Sequence, residues 1–246
     1  MTVPQAPAGR RYLELARDLV ERLLDAEWPN IERAADLVAD SLVQGGTIHA
    51  FGTGHSHVLA EELYYRAGGF VQVSPILFEG LMLHSSAPLS TSLERMPGLA
   101  EALFGDHPIE PEDVLIVASN SGRNAVTAEL AQAARRAGAS VIAVTSLRHA
   151  TAHEPRTHGL PRLHEVADVV IDNGGMVGDA SIEIEGFGVR VAPTSTVVGA
   201  AILNAVTAEA VERLVARGRP PEIYTSSNVD GGDAANARYG PRGDGR

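Results

Sequence analysis

The chain has 246 residues, 44% of them hydrophobic, and carries a net charge of −11 without a single cysteine. That length and apolar content suit one substantial α/β domain, and no linker-like stretch interrupts residues 10–215. The acidic balance argues against nonspecific nucleic-acid binding, the missing cysteine excludes disulfides and a thiol nucleophile, and no apolar run approaches the roughly 18 residues of a membrane span.

Met1–Gln5 lacks the basic-then-apolar pattern of an export signal, so a cytoplasmic protein is expected. Residues 10–27 place Leu13, Ala16, Leu19, Val20, Leu23 and Leu24 at helical spacing. Trp28-Pro29 is expected to break that helix. A second helix is predicted over Ile31–Val43, stopping at Gly45-Gly46. Thr47–Phe51 reads as a strand, Gly52–Ser56 as a loop and His57–Ala67 as a helix. Gly68-Gly69 ends it, and Phe70–Leu77 is a short strand. Residues 78–111 read as irregular apart from a helix near Gly98–Phe104. His84-Ser85-Ser86-Ala87-Pro88 within them is a candidate active-site loop.

Val114–Ala118 is an apolar run that ends abruptly in Ser119-Asn120-Ser121-Gly122-Arg123-Asn124, and a helix is predicted over Ala125–Ala137. Ser140–Thr145 is the next strand. Residues 146–163 carry loop chemistry, Val166–Asp172 a strand, and Asn173–Asp179 a turn. Ser181–Val191 forms one or two short strands, and Pro193–Thr196 caps a helix over Val197–Arg217. Residues 220–246 begin Pro-Pro and are rich in Gly, Asp, Asn and Ser. Their composition reads as a mobile tail rather than a cover over the site. The alternation of strands and helices predicts a three-layer α/β/α sandwich with a central, mostly parallel sheet of about five strands, preceded by an N-terminal helical segment. Three segments follow: helices over 1–46 that pack on the domain or on a dimer partner, the α/β domain over 47–217, and the tail over 218–246.

The turn at 119–124 aims backbone N–H groups and short hydroxyls at one spot, and the helix behind it adds positive potential. Ser119, Ser121 and Asn124 can hydrogen-bond a phosphate without filling its space. Arg123 could supply a charged contact, although a solvated loop arginine is the commoner finding. No lysine is present, so it is not a nucleotide P-loop. The upstream loop carries Gly52 and Gly54, but His57 stands where a dinucleotide fingerprint needs its third glycine. His153-Glu154 is followed by a histidine five residues on, with Pro155 between, which rejects a zinc-protease helix. No metal and no cofactor are expected.

With both loops in view, the chain resembles sugar isomerase (SIS) domains over about residues 30–215. Ala34–Gly46, the loop Gly52-Thr53-Gly54-His55-Ser56-His57 and the helix Ala60-Glu61-Glu62-Leu63 are similar to phosphoheptose isomerases. Ser119-Asn120-Ser121-Gly122 resembles the SIS phosphate motif, with Asn124 in place of the usual hydroxyl residue. Gly54–His57 and Arg66-Ala67-Gly68-Gly69 resemble a bacterial branch of the superfamily. Two departures stand out. Ser56 and Glu62 are closer than in phosphoheptose isomerases by about four residues, one helical turn, and 197–217 lacks their C-terminal histidine.

The resemblance implies a sugar-phosphate substrate, bound by Gly54, His55, Ser56, Ser119, Asn120, Ser121, Gly122, Asn124 and Ser195. It also implies a homodimer or homotetramer with sites near the subunit interface, and neither a nucleic-acid nor a membrane partner. Glu62, with Glu61 close behind, is the expected general base for the C2 proton, and His57 and His84 are acid–base candidates. Asp172, Asn173 and Asp179 could bind sugar hydroxyls. Turn and cap chemistry explains these residues, Thr194 and Ser195 equally well. The expected reaction is aldose–ketose isomerisation or β-elimination, including dehydration of an N-acetylhexosamine 6-phosphate. The alternative is a non-catalytic regulatory SIS protein.

Overall fold

A computed structural model describes residues 6–239. Helix α1 (Ala8–Arg22) passes through a π-helical turn, Leu23–Glu27, into α2 (Trp28–Gln44). The break expected at Trp28-Pro29 is therefore absent. Pro29 lies in the first turn of α2, where its missing N–H costs no intrahelical bond, and the wider turn absorbs the offset. Buried Glu27 pins this junction by accepting from Asn30 at 3.0 Å, Arg22 at 3.3 Å and the Asp172 backbone N–H at 3.1 Å.

The chain continues through β1 (Ile48–Gly52), α3 (His57–Leu63), β2 (Val73–Ile76), α4 (Leu83–Leu93), α5 (Leu99–Asp106), β3 (Val114–Ala118), α6 (Ala125–Ala137) and β4 (Ser140–Thr145). Then come α7 (Leu147–Thr151), α8 (Leu163–Val166), β5 (Val169–Asp172), the short antiparallel pair β6 (Ala180–Ile182) and β7 (Val191–Pro193), α9 (Ser195–Ala216) and α10 (Gly232–Ala237). Among the described residues no helix is long and apolar enough to cross a membrane.

The central sheet is parallel in the order β2-β1-β3-β4-β5. Alternation sorts its side chains. Ile48, Ala50, Ile116, Val144 and Ile171 pack against α2, α3 and α9. Phe51, Leu115, Val117, Val141 and Ala143 face the opposite layer, built on α5, α6 and α8. This is the three-layer sandwich, and both faces of the sheet are covered, as parallel strands require.

The connections leaving adjacent strands β1 and β3 diverge. α3 goes to one face and α6 to the other. This is the topological switch point of an open α/β sheet, where a crevice forms beyond the carboxyl ends of the strands.

The segment after α9 is docked rather than free as far as Tyr239. Gly68 N–H donates to the Tyr224 carbonyl at 2.9 Å, Tyr224 N–H to Gly69 at 3.0 Å, and Ile223 bridges Phe70 antiparallel. Tyr224 stacks edge-on with Tyr65 at 4.8 Å and Tyr239 at 5.7 Å. Composition misses this because a few aromatic anchors hold a stretch that is polar on average. The docking lies at the strands' amino ends, away from the crevice. The expectation for 240–246 falls outside the described residues.

Candidate functional site

The crevice is lined by the turns after β1 and β3. Gly52 closes the first strand where a Cβ would lie 2.3 Å from the Ser56 carbonyl oxygen, so only glycine lets the turn fold back. Thr53 is buried, Gly54–Ser56 form a 3₁₀ turn with His55 exposed, and Ser56 N–H donates to the Thr53 carbonyl at 3.0 Å. His57 opens α3 with Nδ1 2.5 Å from the Gly54 carbonyl. That contact makes Nδ1 the donor, so the neutral ring leaves Nε2 as an open base. Nε2 is 3.8 Å from the Glu61 carboxylate, and the His84 ring lies 6.1 Å from that of His57.

His84 is not on a loop. It stands in the first turn of α4, which is kinked at Ser86 (φ −166°, ψ 112°). The helix restarts there, with Leu89 N–H 3.4 Å from the Ser86 hydroxyl. Pro88 thus lies near a helix start, where it is tolerated.

The β3–α6 turn is held from within. Ser119 Oγ accepts from Gly122 N–H at 3.1 Å, and Gly122 adopts φ 57°, a left-handed conformation suited to glycine. Asn120 turns toward the neighbouring strands, its Oδ1 accepting from Asn173 at 3.0 Å and its carbonyl from Ser146 N–H at 3.2 Å. Among the described residues the Ser121 hydroxyl has no protein partner, and buried Asn124 Oδ1 and Arg123 Nε have none either. Asn124 stands at the N-cap of α6 without capping it through its side chain. Burial is the main cause lowering the pKa of nearby His149. Asp179 opposes that shift, and His153 and Arg123 add to it.

Two expected residues are engaged elsewhere. Glu62 accepts from Arg66 at 2.7 Å and from Asn204 of α9 at 2.8 Å, on the face of the sheet opposite α6. Ser195 donates to Asp179 Oδ2 at 2.5 Å, while Asp179 Oδ1 accepts the Thr194 and Ser195 N–H groups at 3.2 and 3.0 Å, capping α9 from outside.

Sequence reasoning passed over Glu94. It follows α4, its carbonyl accepts from Val126 N–H in the first turn of α6 at 3.3 Å, and its Oε2 accepts the Thr53 hydroxyl at 2.8 Å. The first of these contacts ties the backbone of Glu94 to the start of α6 and the second ties its carboxylate to the turn after β1, and no local motif announces either. Among the described residues no three His, Cys, Asp or Glu side chains gather to hold a metal ion.

The SIS domain family model matches residues 11–146. A UPF0309 protein of Listeria monocytogenes serotype 4b (strain CLIP80459) is 43% identical over 225 residues, covering 92% of this chain and 91% of that protein. A UPF0309 protein of Geobacillus kaustophilus is 44% identical over 229 residues, covering 93% and 91%. Among solved structures, a phosphoheptose isomerase from Francisella tularensis aligns with a TM-score of 0.54 at 15% identity, over 82% of this chain and 95% of that one. A phosphoheptose isomerase from Neisseria gonorrhoeae aligns at 0.51 and 17%, over 83% and 98%. These distant structures share the fold. The family match and the near-full-length relatives carry the assignment: the chain belongs to the SIS domain family.

Proposed function

We propose that this protein binds a sugar phosphate in the crevice between Thr53–His57 and Ser119–Asn124 and moves the proton on C2. The observation that carries this reading is the Glu94 carboxylate, held by Thr53 next to a turn whose Ser121 hydroxyl is open. The phosphate lies on Ser121, the turn's N–H groups and the α6 N-terminus, where the helix dipole favours an anion. Relatives in fold whose names include phosphoheptose isomerase support the substrate class.

Glu94 accepts the C2 proton, and the electron pair moves to the carbonyl oxygen, giving an enediol or enolate. Delivery of the proton to C1, with O1 gaining a proton and the C2 hydroxyl giving up its own as the C2 carbonyl forms, gives isomerisation. If C2 carries an acetamido group, that ketose route is closed. The pair then re-forms as a C2=C3 double bond while the C3 hydroxyl leaves as water, its proton supplied by an acid. His57, whose Nε2 is the open ring nitrogen, fits the role of carrying a proton to and from O1 or O5, with His84 behind it.

The resemblance gives the base to Glu62. From its own chain, however, Glu62 is turned to α9, so it serves a site only where a second subunit brings its phosphate turn against the α3–α9 face.

Removing the turn's hydroxyls should weaken binding more than folding. Ser121→Ala is expected to cost roughly 1.5–3 kcal/mol of affinity for a hexose 6-phosphate, the range for a hydrogen bond to a charged oxygen. Ser119→Ala with Ser121→Ala should cost more, because Ser119 also holds Gly122. Calorimetry giving unchanged affinity would remove this turn as the phosphate site.

The chain is proposed to form at least a dimer. Leu19, Leu23 and Trp28 of the N-terminal helices pack against their own core. Leu13 and Leu24 are 69% and 66% exposed on the outer side, with Val20 between them, forming a stripe along one helix face. Light scattering at micromolar concentration should give twice the chain mass or more, and a monomer would contradict the proposal.

A further inference from the structure

Three arginines meet at the rim of the same crevice from three separate segments. Arg95 follows α4, Arg123 belongs to the β3–α6 turn, and Arg156 lies on the irregular stretch beyond α7. Backbone contacts hold these segments together. Arg156 N–H donates to the Arg123 carbonyl at 3.2 Å, and the Glu94 carbonyl accepts from Val126 N–H at 3.3 Å.

None of the three guanidinium groups has an ion pair or hydrogen-bond partner among the described residues, and Arg123 Nε is fully buried. Elsewhere Arg22, Arg66, Arg135, Arg162, Arg213 and Arg217 are each paired with a carboxylate. The pKa of Arg156 is lowered by burial first, then by Arg95 and Arg123, with Glu94 opposing. Arg123 is half-buried with its Nε enclosed, whereas Arg95 and Arg156 are exposed, so what stands unbalanced at the rim is chiefly the repulsion among three like charges, which an anion between them would relieve.

The charge count points to the kind of anion. Three positive charges stand against the single negative charge of Glu94, and the N-terminus of α6 adds a further positive potential. Buried Asn124 sits at that N-terminus without a partner for Oδ1. The balancing ligand therefore carries two negative charges, as a phosphomonoester does above its second pKa of about 6.

We propose that Arg95, Arg123 and Arg156 form a clamp that selects the doubly charged phosphomonoester of a sugar over singly charged esters of the same shape. This rests on the reading that the Ser119–Asn124 turn holds a phosphate, and it adds what sets that site's specificity.

The test compares glucose 6-phosphate with glucose 6-sulfate at pH 8, by calorimetry on the wild-type chain and on Arg95→Met, Arg123→Met and Arg156→Met. The fixed pH keeps the phosphate dianionic. The wild type should prefer the phosphate, and Arg123→Met or Arg156→Met should each lower phosphate affinity by roughly 10–100-fold, the span of one charge-assisted hydrogen bond. Sulfate affinity should fall less. Arg156→Lys should restore part of the preference, which a purely structural arginine would not do, and unchanged circular-dichroism melts check the fold. If all three variants keep the wild-type preference, the clamp is wrong while the phosphate site stands. If the wild type binds neither that phosphate nor any other hexose, heptose or N-acetylhexosamine phosphate, the phosphate site falls and the clamp with it.

Discussion

Glu94→Gln is expected to lower kcat by about 10²–10⁴-fold, the span usual for removing a general base, while changing KM far less. The substitution keeps the size of the side chain and its ability to accept from the Thr53 hydroxyl, so the loop geometry survives. What disappears is a group that takes a proton in the transition state, a loss felt there and not in the ground state. Exchange of the C2 proton with deuterated water should stop as well. Glu62→Gln is the informative companion. Its amide oxygen can still accept from Arg66, and Asn204 can turn its own amide to accept from the new NH2, so packing between α3 and α9 should persist. If Glu62→Gln abolishes exchange while Glu94→Gln leaves it intact, the base lies on α3 and the site is shared between subunits.

Asp113→Ala should be the most damaging single change to stability. The carboxylate is almost fully buried at the amino ends of the strands. Oδ1 accepts from Thr47 N–H at 2.7 Å, and Oδ2 from Glu110 N–H at 2.8 Å and His49 Nε2 at 3.1 Å. Alanine leaves those donors without a partner, each costing about 1–3 kcal/mol, so a loss of at least about 3 kcal/mol is expected. At about 2–4 °C per kcal/mol for a chain of this size, thermal unfolding should shift by on the order of 10 °C. A shift below about 2 °C would mean that water satisfies the donors. Burial pushes the His49 pKa down although Asp113 acts to raise it. The unfolded chain therefore takes up this proton more readily, and the His49 contribution to stability is lost as pH falls below about 6.5.

The sheet was legible because its strands are apolar runs bounded by turn residues. Val114–Ala118 and Ser140–Thr145 were predicted at their observed limits, and Thr47–Phe51 within one residue at each end. The two turns were legible for the same reason, as short polar residues between a buried strand and a helix. The misread elements share one cause: tertiary contacts override local composition. Trp28-Pro29 reads as a stop, yet Glu27 and a π turn carry the helix through it. His84–Pro88 reads as a loop, yet it is a helix broken and restarted at Ser86. Residues 220–239 read as a tail, yet Tyr224 and Tyr239 are buried. Within the site, residues carried by a motif could be named beforehand. Glu94, Arg95 and Arg156 could not, because only the packing of α4 and the stretch after α7 against the α6 N-terminus brings them to the crevice.

The most direct test of this account is proton NMR of the wild-type protein incubated in deuterated water with hexose, heptose and N-acetylhexosamine phosphates. The C2 proton signal of at least one phosphate should be lost to deuterium, with or without net product, while the matching unphosphorylated sugar keeps its proton. A folded oligomer that binds a sugar phosphate yet leaves every C2 proton in place would contradict the catalytic claim and leave a binding protein.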